Sequence, residues 1–349
     1  MLFGWTSSID PTDDAFVPAR SKNRWFKVST VRSLKYRILP IAALMLTSTF
    51  SIAQQLVSSG GGGSAVPGGS VSWSMGEPII GTGTVPGGIV TQGFQQPKAL
   101  RLLANIKAFL QGPYNSNTGA MSDALRSNGL LPLTEPYTIL GYSFVGGGGE
   151  STTQSIIDFP GTNAIIDWVV LELRDKNDNT GVLFSRSALL QADGDIVEVD
   201  GFSAVRFPLP ADDYYVVVRH RNHLGVMTRL PVALNTTPLV LDFTQASTTT
   251  FGTEARVSAG GAFPAELLWA GDVDANNELK YTGSFNDRDP ILLAIGGSIP
   301  TAVLSGQYRK EDVNMDGEVK YIGAGNDRDP ILQNIGGSVP TNTRVGQLP

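Results

Sequence analysis

Residues 272–301 and 312–341 are one unit written twice. DVDANNELKYTGSFNDRDPILLAIGGSIPT returns as DVNMDGEVKYIGAGNDRDPILQNIGGSVPT, with 19 of 30 positions identical. A tandem copy of this length is a single supersecondary element used twice, and such elements bury their apolar faces against each other. The pair takes up only the end of a 349-residue chain. A chain that long has room for about two to three domains.

Each copy opens with oxygen donors at alternate positions. In the second, Asp312, Asn314 and Asp316 stand at loop positions 1, 3 and 5. Gly317 stands at 6, where the chain turns sharply. Glu318 at 7 offers its main-chain carbonyl, and Val319 at 8 is apolar. This is the opening of an EF-hand calcium loop. The first copy has Asp272, Asp274, Asn276 and Glu278 in the donor positions and Leu279 in the apolar one. Asn277 takes the glycine slot, where asparagine tolerates a left-handed backbone. Position 12, the usual place of the closing acid, holds Gly283 or Gly323. Acids follow later, Asp287 and Asp289 in one copy and Asp327 and Asp329 in the other. The spacing implies an insertion of about four to six residues before the closing carboxylate, and either Asp of each pair suits that role. Asp289–Pro290 and Asp329–Pro330 read as an N-cap followed by proline at the first helical position. Short helices are predicted over 291–295 and 331–335, each ended by a Gly–Gly pair. Two calcium ions are expected.

Composition narrows the chemistry. There is no cysteine and there are only two histidines. Disulfides, thiolate-bound metals and thiol nucleophiles are excluded. Forty glycines and 21 prolines favour short strands and turns over long helices.

The N-terminal region reads as an export signal. Arg20, Lys22, Arg24, Lys27, Arg32, Lys35 and Arg37 precede the apolar run ILPIAALMLTSTFSIA, and small Ser51 and Ala53 lie before a cut ahead of Gln54. The run is too short and too polar for a span of about 20 apolar residues. Without residues 1–53, which hold seven basic and three acidic residues, the chain has 19 basic and 29 acidic residues and a net charge of −10. That balance disfavours nucleic-acid binding, which needs a basic surface. No membrane span is expected after cleavage, and the expected location is secreted or cell-surface.

Residues 54–98 read as a Gly-rich leader with short strands, where Val71, Trp73 and Met75 alternate with serine. Residues 99–248 carry the main domain. Strands are predicted at 106–110, 165–174, 182–191, 196–199, 205–209, 214–220, 226–234 and 239–243, with a helical turn near 121–126. DKNDNTG (175–181) reads as a polar turn, and Asp193–Gly194 as a hairpin signal. Strands at this spacing argue a mainly β fold, an immunoglobulin-like or transthyretin-like β-sandwich, followed by a small α-helical calcium-loop domain. Residues 249–264 read as a linker and 265–349 as the repeat domain. In RHRNHLG (219–225), His220 and His223 are three apart. On a continuous strand they would face opposite sides, so no metal or catalytic role is expected of them unless a turn intervenes.

The paired loop and helix without an entering helix resembles a dockerin domain. DVNMDGEV carries the resemblance most closely, over about 70 residues. It implies two calcium sites and a helix pair whose surface binds a cohesin-like partner or another surface protein. GGSVSWSMGEPII…IVTQGFQQP, LQGPYN…MSDALR…LPLTEPYT and VRHRNHLGVMT resemble segments of secreted surface proteins of the Bacteroidetes. The chain is therefore expected to be a non-catalytic binding or structural module, with a surface protein or a glycan as partner. The alternatives are an accessory part of a carbohydrate-active hydrolase and a purely structural adhesin domain. A glycosidase needs two carboxylates across a cleft. Asp167, Glu172, Asp193, Asp195, Glu198, Asp200, Asp212 and Asp213 read instead as strand-face or turn residues, and no GxSxG motif is present.

Overall fold

The computed structural model describes residues 101–349 and, before them, four strands. Gly60–Val66 pairs with Gly69–Met75, and Gly81–Val85 with Gly88–Gln92, both antiparallel. The predicted strand through Val71 and Trp73 lies in the first hairpin. The export signal and its cleavage site lie outside the described residues. Two compact units result, 1–96 and 97–349. Among the described residues no helix is long and apolar enough to cross a membrane.

The second unit is mainly β, and its strands are antiparallel with one exception. In spatial order the main sheet runs Val205–Phe207, Leu102–Lys107, Asp195–Val197, Asp178–Gln191, Ile165–Asp175, Asp212–His220, His223–Met227. Val232–Leu234 joins Asp212–His220, and Leu239–Asp242 pairs in parallel with Leu102–Lys107. This arrangement is consistent with a β-sandwich. The central strands come from the most apolar runs of the sequence. Ile165, Trp168, Val170 and Leu173 are fully buried, together with Val216, Val218, Phe207 and Phe243.

Three local expectations are corrected. The first strand is Leu102–Lys107 rather than 106–110; Leu110 instead makes an isolated bridge to Leu268. The polar turn at 175–181 is tighter, because Asp175 pairs with Asp178 and leaves only Lys176 and Asn177 between them. The strand predicted over 226–234 is two strands, His223–Met227 and Val232–Leu234. Pro231 between them has no N–H for a ladder.

The segment 249–264 is not a bare linker: Val257–Ala259 pairs with Ala265–Leu267. Beyond it, each repeat is a loop, a three-residue strand, a helix and a returning strand. The strands pair reciprocally. Glu278–Lys280 of the first copy takes Thr343–Val345, which follows the second helix, and Glu318–Lys320 of the second takes Val303–Ser305, which follows the first. Each copy thus completes the other. The helices are Arg288–Ala294 and Arg328–Asn334, three residues earlier than predicted. The reason is Asn286. Its Oδ1 accepts the Asp289 N–H at 2.9 Å and its side-chain amide donates to Asp289 Oδ2 at 2.8 Å, which satisfies a free N–H of the first turn from the residue before Asp287. Asn326 does the same with Asp329. Pro290 and Pro330 then fall in the first turn, where a missing N–H costs nothing.

The apolar residues of the repeats form a core of their own, with Val273, Ile291, Ile295, Val313, Val319 and Ile331 at its centre. Leu279 and Ile335 pack with Leu224 of the sheet. Met315, inside the second loop, belongs to the main core of the sheet.

Candidate metal centre

The first loop wraps around one carboxylate and is closed by another. Asp272 is 7% exposed; its Oδ2 accepts the Asn277 N–H at 3.2 Å, and its Oδ1 is buried with no hydrogen-bond partner. Asp287, fully buried at the start of the helix, closes the loop. Its Oδ1 accepts from the N–H groups of Val273 at 2.7 Å and Asp274 at 3.3 Å, and its Oδ2 from Lys280 N–H at 2.8 Å. Ligand oxygens of Asp272, Asp274 and Asp287 all lie within 4.8 Å of one another. Two oxygens bound to one calcium stand at most about 5 Å apart, so these three fit a single ion.

The backbone is bent to make this possible. Ala275 and Asn277 both have positive φ, 61° and 67°. In the second loop Met315 and Gly317 take the same conformations, 61° and 89°. Asn276 is outermost. Its amide reaches Asp274 Oδ2 at 2.9 Å and its Oδ1 accepts the Glu278 N–H at 2.8 Å.

The electrostatics record crowded acids. Burial, with the charge of Asp274 beside it, raises Asp272 to about 7. Burial, with Asp272 and Asp274 nearby, raises Asp287 to about 7. Asp274 is raised as well, mainly by burial. A divalent cation removes this penalty, because it favours the charged form of every ligand around it.

The second loop repeats the plan with a different balance. Asp312 and Asp327 are completely buried. Asp327 accepts from Val313, Asn314 and Lys320 N–H as Asp287 does in the first copy. Burial raises Asp312 to about 6, and burial with the charge of Asp312 raises Asp327 to about 8. Both Asp312 oxygens are taken by N–H groups, of Asp316 at 3.1 Å and Gly317 at 2.9 Å. The Asp316 carboxylate meets the Asn314 amide at 3.2 Å and Lys320 Nζ at 4.0 Å. Asn314 also donates to Gly325 O, and Glu318 forms an ion pair with Lys320. Among the described residues, the grouping of three acids around one point is that of the first loop.

Asp287 and Asp327, not Asp289 and Asp329, are the late acids that face the loops. Asp289 and Asp329 bond the asparagine caps and the guanidinium groups of Arg288 and Arg328. Those guanidiniums lie over the rings of Tyr281 and Tyr321, at 5.2 and 5.0 Å. The shared letters K-Y and N-D-R-D of the two copies therefore mark a loop closure, a helix cap and a stacked arginine.

The loops are seated on the sheet by RHRNHLG. A turn does intervene between the two histidines, at Arg221–Asn222, so His220 and His223 converge, with their Nδ1 atoms 3.0 Å apart. His220 Nε2 lies 3.1 Å from Asp167 Oδ2, and His223 Nε2 accepts the Gly112 N–H at 3.1 Å. These partners fix both rings as neutral: His220 donates from Nε2, and His223 donates from Nδ1. Burial lowers both pKa values, His223 the more strongly. Burial alone would raise Asp167; Arg221 beside it, with His220 and Tyr308 as donors, holds it at about 2. Glu172 is likewise buried, between Arg174 and Arg219. Asp167 and Glu172, read from sequence as strand-face residues, are thus buried ion-pair partners.

No family model, curated protein or solved structure matches this chain.

Proposed function

We propose that the chain is a secreted, non-catalytic binding or surface-attachment module, in which an immunoglobulin-like or transthyretin-like sandwich carries a dockerin-like repeat pair stabilised by two calcium ions. The observation that supports this most is the convergence of Asp272, Asp274 and Asp287, with one buried Asp272 oxygen left without a partner. A buried carboxylate oxygen without a donor is costly, and a hard cation is the partner that an all-oxygen donor set suits. Asp272, Asp274, Asn276 and Asp287 hold one ion, with the Glu278 carbonyl. Asp312, Asn314, Asp316 and Asp327 hold the other, with the Glu318 carbonyl. The ions fix loops whose helices, at seven residues each, are too short to persist alone. The partner is a cohesin-like or other surface protein, or a glycan.

Calorimetric titration of the metal-free chain tests the reading. Two calcium ions should bind, magnesium should bind more weakly, and calcium should raise the melting temperature. A melting curve unchanged between excess EDTA and calcium would refute it. Secreted protein beginning at Gln54 is the corresponding test of export.

A further inference from the structure

A cavity of about 320 Å³ opens beside the first loop. Its walls come from three separate parts of the chain: the 137–142 loop with Tyr142, the sheet with Arg219, and the repeats with Asp272, Asp274 and Lys310. Asp272 and Asp274 are two of the three clustered acids. Two donors of the first loop therefore border this cavity. The second loop is set differently: Met315 packs in the sheet core, and the Asn222 amide binds the main-chain oxygen of Asp312.

Three cations line the same space, of which Arg221 is paired with Asp167. Lys310 has no carboxylate within ion-pair distance among the described residues, although its charge reaches Asp274. Arg219 shares the charge of Glu172 with Arg174, which also donates to Pro349 O, and the Arg219 charge reaches Asp272. The orphaned Asp272 Oδ1 completes the set. His220 and His223 add no charge, since burial keeps both neutral.

We infer that this cavity binds a hexuronate-type sugar carboxylate, which takes one position on the first-loop calcium and the ammonium of Lys310 at the same time. The inference rests on the calcium reading above. The five donors named above, at one oxygen each, supply fewer than the six to eight oxygens calcium takes, so the ion keeps room for a ligand oxygen on its cavity side. A bound cation beside Lys310 and Arg219 makes the space attractive to an anion. The volume suits about one sugar ring, at the small end of the range for ligand sites. Tyr142 and Leu140 supply an apolar wall, which a sugar ring uses and a bare carboxylate does not.

The test is a titration of the full chain with D-glucuronate in saturating calcium, with D-glucose and acetate as comparison arms. Glucuronate should bind saturably, glucose should not, and acetate should bind at least tenfold more weakly. Binding should vanish in EDTA. Lys310→Gln should weaken glucuronate about tenfold with the calcium isotherm unchanged, and Lys310→Arg should restore most of it. Normal calcium binding without glucuronate binding overturns the proposal and leaves the calcium reading intact. Glucuronate binding that persists in EDTA, or is equally tight in Lys310→Gln, also overturns it. Acetate binding as tight as glucuronate overturns the sugar assignment. Absence of any calcium binding overturns both readings together.

Discussion

Asn222 donates its side-chain amide to the main-chain oxygen of Asp312 at 2.7 Å, which ties a sheet hairpin to the first residue of the second repeat loop. The same amide reaches Lys310 O at 2.9 Å. On its other side, the main-chain oxygen of Asn222 accepts the N–H of Gly271 at 2.9 Å and Asp272 at 3.1 Å. One residue thus holds the first position of both loops. Tyr308 adds a second tie, donating to Asp167 Oδ1 at 2.6 Å.

Replacing Asn222 with alanine strands the Asp312 carbonyl, which is buried, and the Lys310 carbonyl, which is partly so, and loosens the second loop from the hairpin. A buried group left without its partner costs about 1–3 kcal/mol, so Asn222→Ala should lose several kcal/mol in chemical denaturation. Calcium affinity should fall mainly at the second site, although Asn222 is not a ligand there, because alanine keeps the main-chain oxygen that holds the first loop. Equal weakening at both sites would show that the two loops are positioned as one unit.

The closing acid of each loop can be assigned by a paired substitution. Asp287→Asn removes a ligand and puts an amide donor against main-chain N–H groups, so it should abolish calcium binding at the first site and lower stability by about 2 kcal/mol or more. Asp289→Asn alters an exposed residue that bonds Asn286 and Arg288. It should leave the isotherm unchanged and cost less than about 1 kcal/mol. Calorimetry on both variants decides; the opposite ranking would place Asp289 in the site.

Much of this centre was legible in the sequence, because a repeat exposes which letters cannot change. The donor spacing of Asp312, Asn314 and Asp316, the asparagine in the glycine slot at 277 and the need for a late acid all follow from alternation and turn chemistry. The choice between Asp287 and Asp289 was not legible. It depends on the bonds of Asn286 to the first turn, and Pro290, three residues after Asp287 and one after Asp289, suits either register. The seating of the loops was less legible still. Asp167 lies in the run IIDWVVLEL, and an acid inside so apolar a strand signals a buried partner. That its partners are Arg221 and Tyr308 is a matter of long-range topology. The convergence of His220 and His223 was legible only as a condition, that a turn intervene: the turn at 221–222 falls between them, and strand alternation stops there.

The raised acids fix the pH response of the metal-free protein. Asp272 and Asp287 titrate near 7, Asp312 near 6 and Asp327 near 8, against about 3.9 for unfolded Asp. The folded state therefore holds more protons than the unfolded one, and this contribution to stability is lost as pH rises through 6–8. The buried histidines act in the opposite direction, but only below about pH 6.5, where the unfolded rings gain protons. From pH 6.5 upward the melting temperature in EDTA should fall, and it should level off above about pH 8. Saturating calcium should flatten that slope, and calcium affinity should rise with pH as protons cease to compete. A metal-free melting temperature that rises over this interval would contradict the burial of these acids.

Phe285 marks where the two copies have diverged at a cost. It has φ of 55° and is 81% exposed, while the matching residue of the second copy is Gly325, with φ of 67°. A left-handed backbone costs a residue with a bulky side chain roughly 1–2 kcal/mol, and so exposed a ring recovers little of that by burial. Asparagine accepts the same backbone more readily and needs no burial. Phe285→Asn should therefore stabilise the protein by about 1 kcal/mol, which raises the melting temperature by about 2–4 °C for a unit of this size. The calcium isotherm should not change, because the side chain is not among the first-loop ligands. Scanning calorimetry of wild type and variant in saturating calcium measures the difference. A fall of several degrees would show that the ring supports the fold through contacts that outweigh the strain of its backbone.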